Sequence, residues 1–176
     1  SLASGKTTAS KILSHRRGPL FSADKIVNNL YKKNSFIKLL MKNFCIFKKS
    51  QLKNTLKNKV LQSKNNLTKL EKLIHPRVRR EMKKFTTLHK KKNIIFYEIP
   101  LLLENKLTKY FDVIIFIKAK KKIRLKRFKA RGGDEKLFNL LNNKQFLDKE
   151  KIKLSNYVIV NEKNLNVLKK NLLSII

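Results

Sequence analysis

The chain begins with Ser1-Leu2-Ala3-Ser4-Gly5-Lys6-Thr7-Thr8, the stretch from which the rest of the fold can be predicted. It matches the end of the phosphate-binding loop pattern G-x-x-x-x-G-K-[ST], with Gly5, Lys6 and Thr7 in the last three positions. The opening glycine of the pattern, and the strand that carries such a loop, would come before Ser1. We therefore expect a sequence that is truncated at its N-terminal end, within a phosphate-binding site.

The residue types of this loop suit phosphate binding. Gly5 lets the backbone N–H groups face phosphate oxygens, and the helix that follows adds its positive end. Lys6 reaches the β- and γ-phosphates of a bound nucleotide, and the Thr7 hydroxyl is a ligand for Mg²⁺. The alternative is that Ser-Gly-Lys-Thr merely begins a polar helix. The predicted nucleotide contacts are Ala3, Ser4, Gly5, Lys6, Thr7 and Thr8.

Composition limits the class of protein. The 176 residues suit one domain of ordinary size, and a hydrophobic content of 41% is enough for a core. A single cysteine, Cys45, excludes an intramolecular disulfide and fits a reducing compartment, so we expect a cytoplasmic protein. The sequence has no apolar run long enough to cross a membrane, and its Cys and His residues lack zinc-site spacing.

The formal net charge of +33 is the most unusual feature of the composition. Such a charge is typical of nucleic-acid-binding proteins, which are the alternative class here. The lysines are spread along the whole chain and accompany many Asn, Ile and Phe residues, as an AT-rich genome would produce. We expect non-specific affinity for polyanions that falls with salt, no specific nucleic-acid partner, and a highly anionic small-molecule substrate.

Two carboxylates follow predicted strands. Leu20-Phe21-Ser22 is a short strand with Asp24 just beyond its end, and residues 93–99 form a nearly continuous apolar strand with Glu98 at its exit. The C-terminal ends of strands face the ligand crevice in open α/β sheets. Asp24 is therefore expected beyond the bound phosphates, and Glu98 near Mg²⁺ and the substrate. The alternatives are a helix N-cap for Asp24 and a solvated strand end for Glu98.

Residues 26–88 have a helical pattern without an obvious strand, which predicts an inserted substrate lobe. Pro76 is expected to break the helix that ends near His75, with a second helix over residues 77–88. His75 would then lie at a junction between helices, where it either faces a ligand or is a packed or capping residue. The predicted core of the lobe consists of Phe36, Leu39, Leu40, Phe44 and Phe47.

The sequence is strongly basic after its third predicted strand. Arg124, Arg127 and Arg131 recur at spacings of three and four, which favours one face of a helix. With Gly132-Gly133 and a second helix over residues 135–149, they predict a mobile lid whose arginines clamp phosphates. A solvated charged face is the alternative.

Strands that alternate with helices behind a phosphate-binding loop predict a three-layer α/β/α parallel sheet of the P-loop NTPase or nucleoside monophosphate kinase type. The visible strands are 20–22, 93–99, 112–117 and 157–160. A fifth strand is expected before Ser1, and a closing helix over 165–176. The predicted domains are a core (1–25, 92–119 and 154–176), a helical lobe (26–91) and a lid (120–153).

Five stretches, in order along the chain, resemble the dephospho-coenzyme A kinase family. Ala3–Thr8 resembles the family's loop G-S-G-K-[ST]-T, and Ser22-Ala23-Asp24 resembles its segment D-A-D. Leu70–Pro76 resembles its helix end L-E-x-I-x-H-P, and Glu98–Glu104 resembles its stretch D-I-P-L-L-F-E. The loop alone is generic to kinases and GTPases, whereas I-H-P together with P-L-L-L-E is specific.

The fifth stretch is the basic region. Arg127 and Arg131 resemble the lid arginines of the family, and Gln145 and the strand Tyr157–Asn161 follow at family-like distances. The resemblance covers essentially the whole chain, and it implies that Asn161 lies where the adenine-binding loop begins.

The resemblance implies transfer of the γ-phosphoryl group of ATP, with Mg²⁺, to the ribose 3′-hydroxyl of dephospho-CoA, the last step of coenzyme A synthesis. It implies that Lys6 and the loop hold ATP and that Asp24 takes the proton from the 3′-hydroxyl. Arg127 and Arg131 would close over the transferring group. The helical lobe, with His75, would bind dephospho-CoA.

Several positions depart from the family pattern. Ser22 replaces the first Asp of D-A-D, Glu98 replaces an Asp, and Ala3 replaces a loop glycine. The helical lobe has no counterpart of the family's Asp-Arg pair near Lys48–Leu52. The segment D-A-D would therefore act through Asp24 alone, and Glu98 would reach one methylene further.

Another P-loop small-molecule kinase, acting on a nucleoside or a nucleotide, is the second interpretation. I-H-P together with P-L-L-L-E favours the dephospho-CoA kinase family, because nucleotide kinases do not generally carry both. For partners we expect one small-molecule substrate, dephospho-CoA, with no membrane contact and with a monomer or a weak homo-oligomer as the assembly.

Overall fold

The computed structural model describes residues 1–175 of the chain. They form two compact units. The first unit contains Ser1–Phe21 and the chain from Lys91 onward, and the second unit is Ser22–Lys90. The phosphate-binding loop therefore belongs to the first unit, and the helical region belongs to the second.

The second unit is built from helices, and the first combines helices with strands. In chain order the elements are α1 (Lys6–Ser14), β1 (Leu20–Ser22), α2 (Ala23–Leu30), α3 (Asn34–Phe44), α4 (Leu52–Gln62), α5 (Lys64–Leu88), β2 (Phe96–Glu98), β3 (Ile115–Lys118), α6 (Lys121–Lys129), α7 (Glu135–Asn142), α8 (Asp148–Lys153), β4 (Tyr157–Val160) and α9 (Leu165–Leu173). Short 3₁₀ turns occupy Lys49–Gln51 and Thr108–Tyr110. Among the described helices, none is long and apolar enough to span a bilayer.

The strands form two pairs. β3 and β4 run parallel, with Ile115 opposite Tyr157 and Lys118 opposite Val160, and β1 is hydrogen-bonded to β2. No strand within residues 1–175 links the two pairs. The fifth strand of the predicted sheet would precede Ser1 and lies outside the described residues. A mixed α/β fold with parallel strands is confirmed, and the three-layer arrangement stays a prediction.

The hydrophobic core of the first unit joins α1 and α9 to the β3–β4 pair. Its buried members are Ala9, Leu13, Ile117, Ile159, Leu168 and Leu172. The two members on each helix are four residues apart and so lie on one helical face. The two isoleucines are opposite each other in the strand register and point to the same face of the sheet. The helix that follows the phosphate-binding loop, α1, therefore packs in this core and anchors the loop to it.

The apolar runs that predicted strands are longer than the strands themselves. β2 covers only Phe96–Glu98 of the predicted range 93–99, and Ile94 is 45% exposed. β3 begins at Ile115, and Val113 is 55% exposed. Each of these strands has one hydrogen-bonded neighbour among the described residues, so Ile94 and Val113, which precede them, remain exposed. The prediction that residues 93–99 are buried on both faces is wrong, because Glu98 is the one buried residue of this range and Phe96 and Tyr97 are half-buried.

The second unit has an apolar interior. Phe36, Leu40 and Phe44 follow one another at a spacing of four residues on α3, and each is at most 3% exposed. This spacing places them on one helical face, as the sequence predicted. Leu39, the other predicted core residue on α3, is half-buried.

Phe47 was predicted in the same core, and this prediction is wrong because Phe47 is 91% exposed. α3 ends at Phe44, and the next residue, Cys45, has φ of 49° in the left-handed region and turns the chain. After this turn Ile46 is the buried residue, at 5% exposure. The periodicity that places residues on α3 therefore does not continue to Phe47.

Pro76 lies inside α5, so the predicted helix break at this residue is also wrong. A proline cannot donate to the carbonyl four residues earlier, which is that of Lys72. Arg77 donates from Nη1 to the neighbouring carbonyl of Leu73 at 2.6 Å, which supplies a polar contact in the turn that the proline weakens. His75 is consequently an interior residue of one 25-residue helix and does not lie at a junction.

The prediction of a single helix over residues 135–149 is wrong, because two helices, α7 and α8, occupy this region. α7 begins at the N-cap Asp134, whose Oδ1 accepts the Leu137 N–H at 2.8 Å, and it ends at Asn142. α8 begins at Asp148. Gln145 lies in the turn between the two helices and points to the start of the chain.

Candidate active site

The phosphate-binding loop curls back onto its own first carbonyl. The Ser1 carbonyl accepts hydrogen bonds from Ser4 Oγ at 2.9 Å and from Lys6 Nζ at 2.8 Å. Ser4 is fully buried, and α1 begins at Lys6 immediately after the loop. The N-terminal, positive end of α1 therefore lies at the loop, an arrangement that favours phosphate binding.

Two residues of the loop have left-handed backbone conformations. Gly5 has φ of 98°, and Ala3 has φ of 54°. A glycine adopts such angles without strain, whereas an alanine pays about 1–2 kcal/mol for them. At the position of Ala3, the family that the sequence resembles has a glycine. The left-handed backbone angle explains this glycine, because a glycine adopts the angle without strain.

Asn161 covers the loop from the end of β4. Its side-chain Nδ2 donates to the Ser4 carbonyl at 2.8 Å, and its backbone N–H donates to the Lys118 carbonyl at the end of β3 at 2.8 Å. A Cβ on Gly5 would collide with Asn161 Nδ2. Gly5 is therefore required for two reasons, its positive φ and the close approach of Asn161.

The structure brings Thr7 and Glu98 together. The Thr7 hydroxyl donates a hydrogen bond to Glu98 Oε1, and Glu98 is 4% exposed at the end of β2. A hydroxyl and a carboxylate are oxygen ligands of the kind that Mg²⁺ prefers. Within residues 1–175, no cluster of three or more His, Cys, Asp or Glu side chains could hold a metal ion.

The three arginines of the predicted lid face do not share one environment. Arg124 is 6% exposed and donates from Nε to the Ala119 carbonyl at 3.0 Å. Burial lowers the pKa of its guanidinium, and the Asp148 carboxylate acts in the opposite direction. Arg127 donates from Nη1 to the Asn161 carbonyl at 3.0 Å, next to the phosphate-binding loop. Arg131 is exposed and lies two residues beyond the end of α6.

Asp24 and His75 belong to the second unit. Asp24 is exposed in the first turn of α2, where the N-cap position is occupied by Ser22. The alternative that Asp24 is the N-cap is therefore wrong. His75 is half-buried within α5. Both residues interact with other parts of the described chain.

Sequence reasoning did not predict that several polar side chains gather beside Ser1, at the start of the loop. A cavity of about 340 Å³ there is lined in part by Arg124, Gln145 and Lys151. Lys151 is buried and forms an ion pair with Glu104. In so lysine-rich a sequence, nothing distinguishes one buried lysine from the many solvated ones. The resemblance pointed to Gln145 by its distance from the arginines but gave it no role.

The fold and the loop together define a class of protein, the α/β proteins that bind nucleoside phosphates at a helix N-terminus. A family model described as dephospho-CoA kinase matches residues 1–166. The chain belongs to the dephospho-CoA kinase family.

Curated relatives agree with this family. The chain is 34% identical over 181 residues to the dephospho-CoA kinase of Bartonella quintana, covering 100% of this chain and 93% of the relative. It is 30% identical over 176 residues to the dephospho-CoA kinase of Fusobacterium nucleatum, covering 96% and 90%.

Two solved structures share the fold. One, of a Thermus thermophilus protein, matches with a TM-score of 0.74 at 24% identity over 99% of this chain and 92% of that chain. The other, dephospho-CoA kinase from Campylobacter jejuni, matches with a TM-score of 0.60 at 22% identity over 99% and 91%. At these identities the likeness concerns the fold alone.

Proposed function

We propose that the chain transfers the γ-phosphoryl group of ATP to the ribose 3′-hydroxyl of dephospho-CoA, giving coenzyme A and ADP. Its family makes it a transferase that phosphorylates dephospho-CoA in the final step of coenzyme A synthesis. The observation that carries the finer proposal is the pairing of Thr7 with Glu98 at the end of a phosphate-binding loop. A hydroxyl and a carboxylate beside phosphate-binding N–H groups are the groups that phosphoryl transfer requires.

In this proposal the loop holds ATP mainly through its backbone. The N–H groups of Ala3–Thr8 face phosphate oxygens, as the left-handed angles in the loop favour. Lys6 Nζ leaves the Ser1 carbonyl and binds the β- and γ-phosphates. This exchange is favourable because an anionic oxygen accepts a stronger hydrogen bond from an ammonium group than a neutral carbonyl does.

Thr7 and Glu98 are the proposed holders of Mg²⁺. Mg²⁺ is usually bound by one or two carboxylates together with substrate phosphates and waters, and Thr7 Oγ1 and Glu98 Oε1 already lie in hydrogen-bond contact. When bound, the ion would neutralise charge on the phosphates. Before binding, the Thr7–Glu98 contact holds both oxygens in place.

Asp24 is the proposed general base. Its carboxylate takes the proton of the 3′-hydroxyl as the hydroxyl attacks the γ-phosphorus and the bond to the ADP oxygen breaks. Its place in the first turn of α2 stabilises a negative charge through the helix dipole. The second unit around it, including His75, is the proposed binding region for dephospho-CoA, which corresponds to the lobe predicted over 26–91.

Arg127 and Arg131 are the proposed stabilisers of the charge on the transferring group. Arg127 is already held beside the loop by the Asn161 carbonyl, and Arg131 is exposed next to Gly132, whose φ is 81°. A guanidinium matches phosphate oxygens with two parallel N–H donors. We propose that the segment 120–153 acts as the lid and that Asn161 contacts the nucleotide.

The experiment that tests the proposal compares acceptors. The chain is incubated with ATP, Mg²⁺ and either dephospho-CoA or a nucleoside monophosphate, and ADP formation is measured. We expect ADP to form with dephospho-CoA and not with the nucleoside monophosphate. Turnover of the nucleoside monophosphate alone would replace the proposal with the second interpretation, a nucleotide kinase.

A further inference from the structure

Leu2 lies in the first half of the phosphate-binding loop. Its backbone N–H and its carbonyl are both hydrogen-bonded to side chains of the segment after β3. The Leu2 N–H donates to Gln145 Oε1 at 3.2 Å. The Leu2 carbonyl accepts from Arg124 Nη1 at 3.5 Å. Arg124 Nη1 also donates to Asn142 Oδ1 at 2.8 Å, which ties it to the end of α7. The conformation of the loop therefore depends on side chains that are more than 120 residues away in the sequence.

Gln145 is itself oriented by a buried ion pair. Lys151 Nζ donates to Gln145 Oε1 at 2.9 Å and lies 3.1 Å from Glu104 Oε1. The side chains of Lys151 and Glu104 are only 6% and 11% exposed. Glu104 Oε1 also accepts the Phe146 N–H at 3.0 Å, so the carboxylate fixes the backbone next to Gln145.

This arrangement determines which end of the Gln145 amide meets the loop. Two donors, the Lys151 ammonium and the Leu2 N–H, converge on one atom of the amide. Only the amide oxygen can accept both, because the amide nitrogen is a donor. If Lys151 were neutral and apolar, the amide could rotate and present its NH₂ group to the Leu2 N–H.

A shift at Leu2 would reach the reacting end of the loop directly. The preceding residue, Ser1, supplies the carbonyl that accepts Lys6 Nζ and Ser4 Oγ. Moving Leu2 moves this carbonyl, and with it the resting position of the Lys6 ammonium. Displacements of about 1 Å at such a distance can lower a rate by roughly 100-fold, because the reacting groups must be closely aligned.

We propose that Gln145 is a positioning residue for the phosphate-binding loop, with the buried Lys151–Glu104 pair fixing the direction of its amide. The inference rests on the proposed function, since it concerns how the loop receives ATP. Gln145 acts through the Leu2 backbone and not on the nucleotide itself. The Lys151–Glu104 pair thus has a role in orientation, beyond any contribution to stability.

The test compares two substitutions of Gln145, one of which removes the accepting side-chain oxygen and one of which keeps it. Gln145→Leu removes the accepting oxygen at similar size, and Gln145→Glu keeps it. We expect Gln145→Leu to raise the KM for ATP about tenfold or more, as the loss of one positioning hydrogen bond of about 1.4 kcal/mol would. Gln145→Glu should stay within about threefold of the unaltered chain, because its carboxylate still accepts from both donors.

Asn156→Leu is the matched control. Asn156 Oδ1 also accepts a backbone N–H, that of Ile114, at 2.8 Å in the same unit, but it lies at the start of β4. If Gln145 only stabilises the fold, both leucine variants lower the melting temperature and leave the KM for ATP unchanged. That result would overturn the proposal.

The ion pair is tested with a double substitution. Lys151→Met alone would leave a buried carboxylate without its partner and risks loss of the fold. Glu104→Gln with Lys151→Met removes both charges and keeps an acceptor for the Phe146 N–H. We expect this double variant to fold and to raise the KM for ATP as Gln145→Leu does. An unchanged KM in the folded double variant would exclude the orienting role of the pair.

Failure of the proposed function can be told apart from failure of this inference. Binding of a fluorescent, non-hydrolysable ATP analogue is measured alongside turnover for every variant. If the unaltered chain does not phosphorylate dephospho-CoA, the analogue still reports the loop, and weaker binding in Gln145→Leu supports the inference. Equal analogue affinity in the unaltered chain and Gln145→Leu overturns it, whatever the acceptor.

Discussion

The two units of the chain differ in what they bury. Among the described residues, the buried polar side chains of the first unit are Ser4, Glu98, Arg124, Lys151 and Asn161. The second unit buries the small hydroxyl of Ser22, at the point where the units meet in sequence, and otherwise apolar side chains. A buried polar group is expensive unless it is paired, and those of the first unit surround the phosphate-binding loop.

The difference separates two kinds of constraint. In the first unit the polar interior fixes the shape of a loop, so a substitution there should change ligand binding as well as stability. In the second unit the apolar interior fixes the packing of helices, so a core substitution should change stability alone. The experiments below either break this distinction or make it more exact.

The largest effect, on turnover, is expected at Asp24, the proposed general base, which belongs to the second unit. Asp24→Asn should lower turnover about 10²–10⁴-fold, the usual contribution of a general base, and leave ATP binding largely unchanged. Asp24 is exposed, so the melting temperature should fall by no more than about 2–4 °C, the shift that a loss of about 1 kcal/mol of helix-dipole stabilisation would give. Steady-state kinetics and nucleotide binding are the measurements. Unaltered turnover would remove Asp24 from the mechanism.

A large effect on stability is expected in the core of the second unit. Leu40 has no exposed surface, and Leu40→Ala should lower the free energy of unfolding by about 2–5 kcal/mol through the cavity that it leaves. Phe47→Ala is the control, since Phe47 is 91% exposed and its loss should change stability by less than about 0.5 kcal/mol. Urea unfolding measures both. A raised KM for ATP in folded Leu40→Ala would show that the two units are not separable in this way.

A smaller effect, on stability and binding together, is expected at Gly5. Gly5→Ala should lower the free energy of unfolding by about 2–4 kcal/mol, from the left-handed φ and the clash with Asn161. Gly132→Ala is the control, because Gly132 also has a positive φ but has open space around it, so it should lose only about 1 kcal/mol. Gly5→Ala should also weaken ATP binding, whereas Gly132→Ala should not. Equal losses in the two variants would mean that the approach of Asn161 has no consequence.

The smallest effect is expected at Ala3. Ala3→Gly should raise the free energy of unfolding by about 1 kcal/mol, because a glycine adopts φ of 54° without strain. Ala9→Gly, within α1, is the control and should be destabilising, since a helix interior penalises glycine by about 1 kcal/mol. If both variants lost stability equally, the left-handed angle of Ala3 would not be a strained one.

Much of the architecture could be predicted from local patterns. The loop motif located α1, the alternation of strand and helix signals located β1 and β4, and the spacing of Phe36, Leu40 and Phe44 identified one buried helix face. These features depend on residues close in sequence. The resemblance to the family was confirmed, and it extended the prediction to the reaction.

The remaining features depend on contacts between distant residues. Pro76 does not end α5, and Arg77 makes an additional contact to the Leu73 carbonyl there, which periodicity cannot reveal. The length of β2 depends on its sheet neighbours, and the burial of Lys151 depends on Glu104, far away in sequence. Residue types alone do not distinguish such a lysine from a solvated one.

The most direct test of phosphoryl transfer at this loop follows the phosphate itself. The chain is incubated with dephospho-CoA, Mg²⁺ and ATP labelled on its γ-phosphate, and the label is traced in the products, with Lys6→Ala as the control. We expect the label in coenzyme A, removable by an enzyme that hydrolyses 3′-phosphates, and little transfer by Lys6→Ala. Label found only in inorganic phosphate, or equal transfer by Lys6→Ala, would contradict the proposed role of the loop.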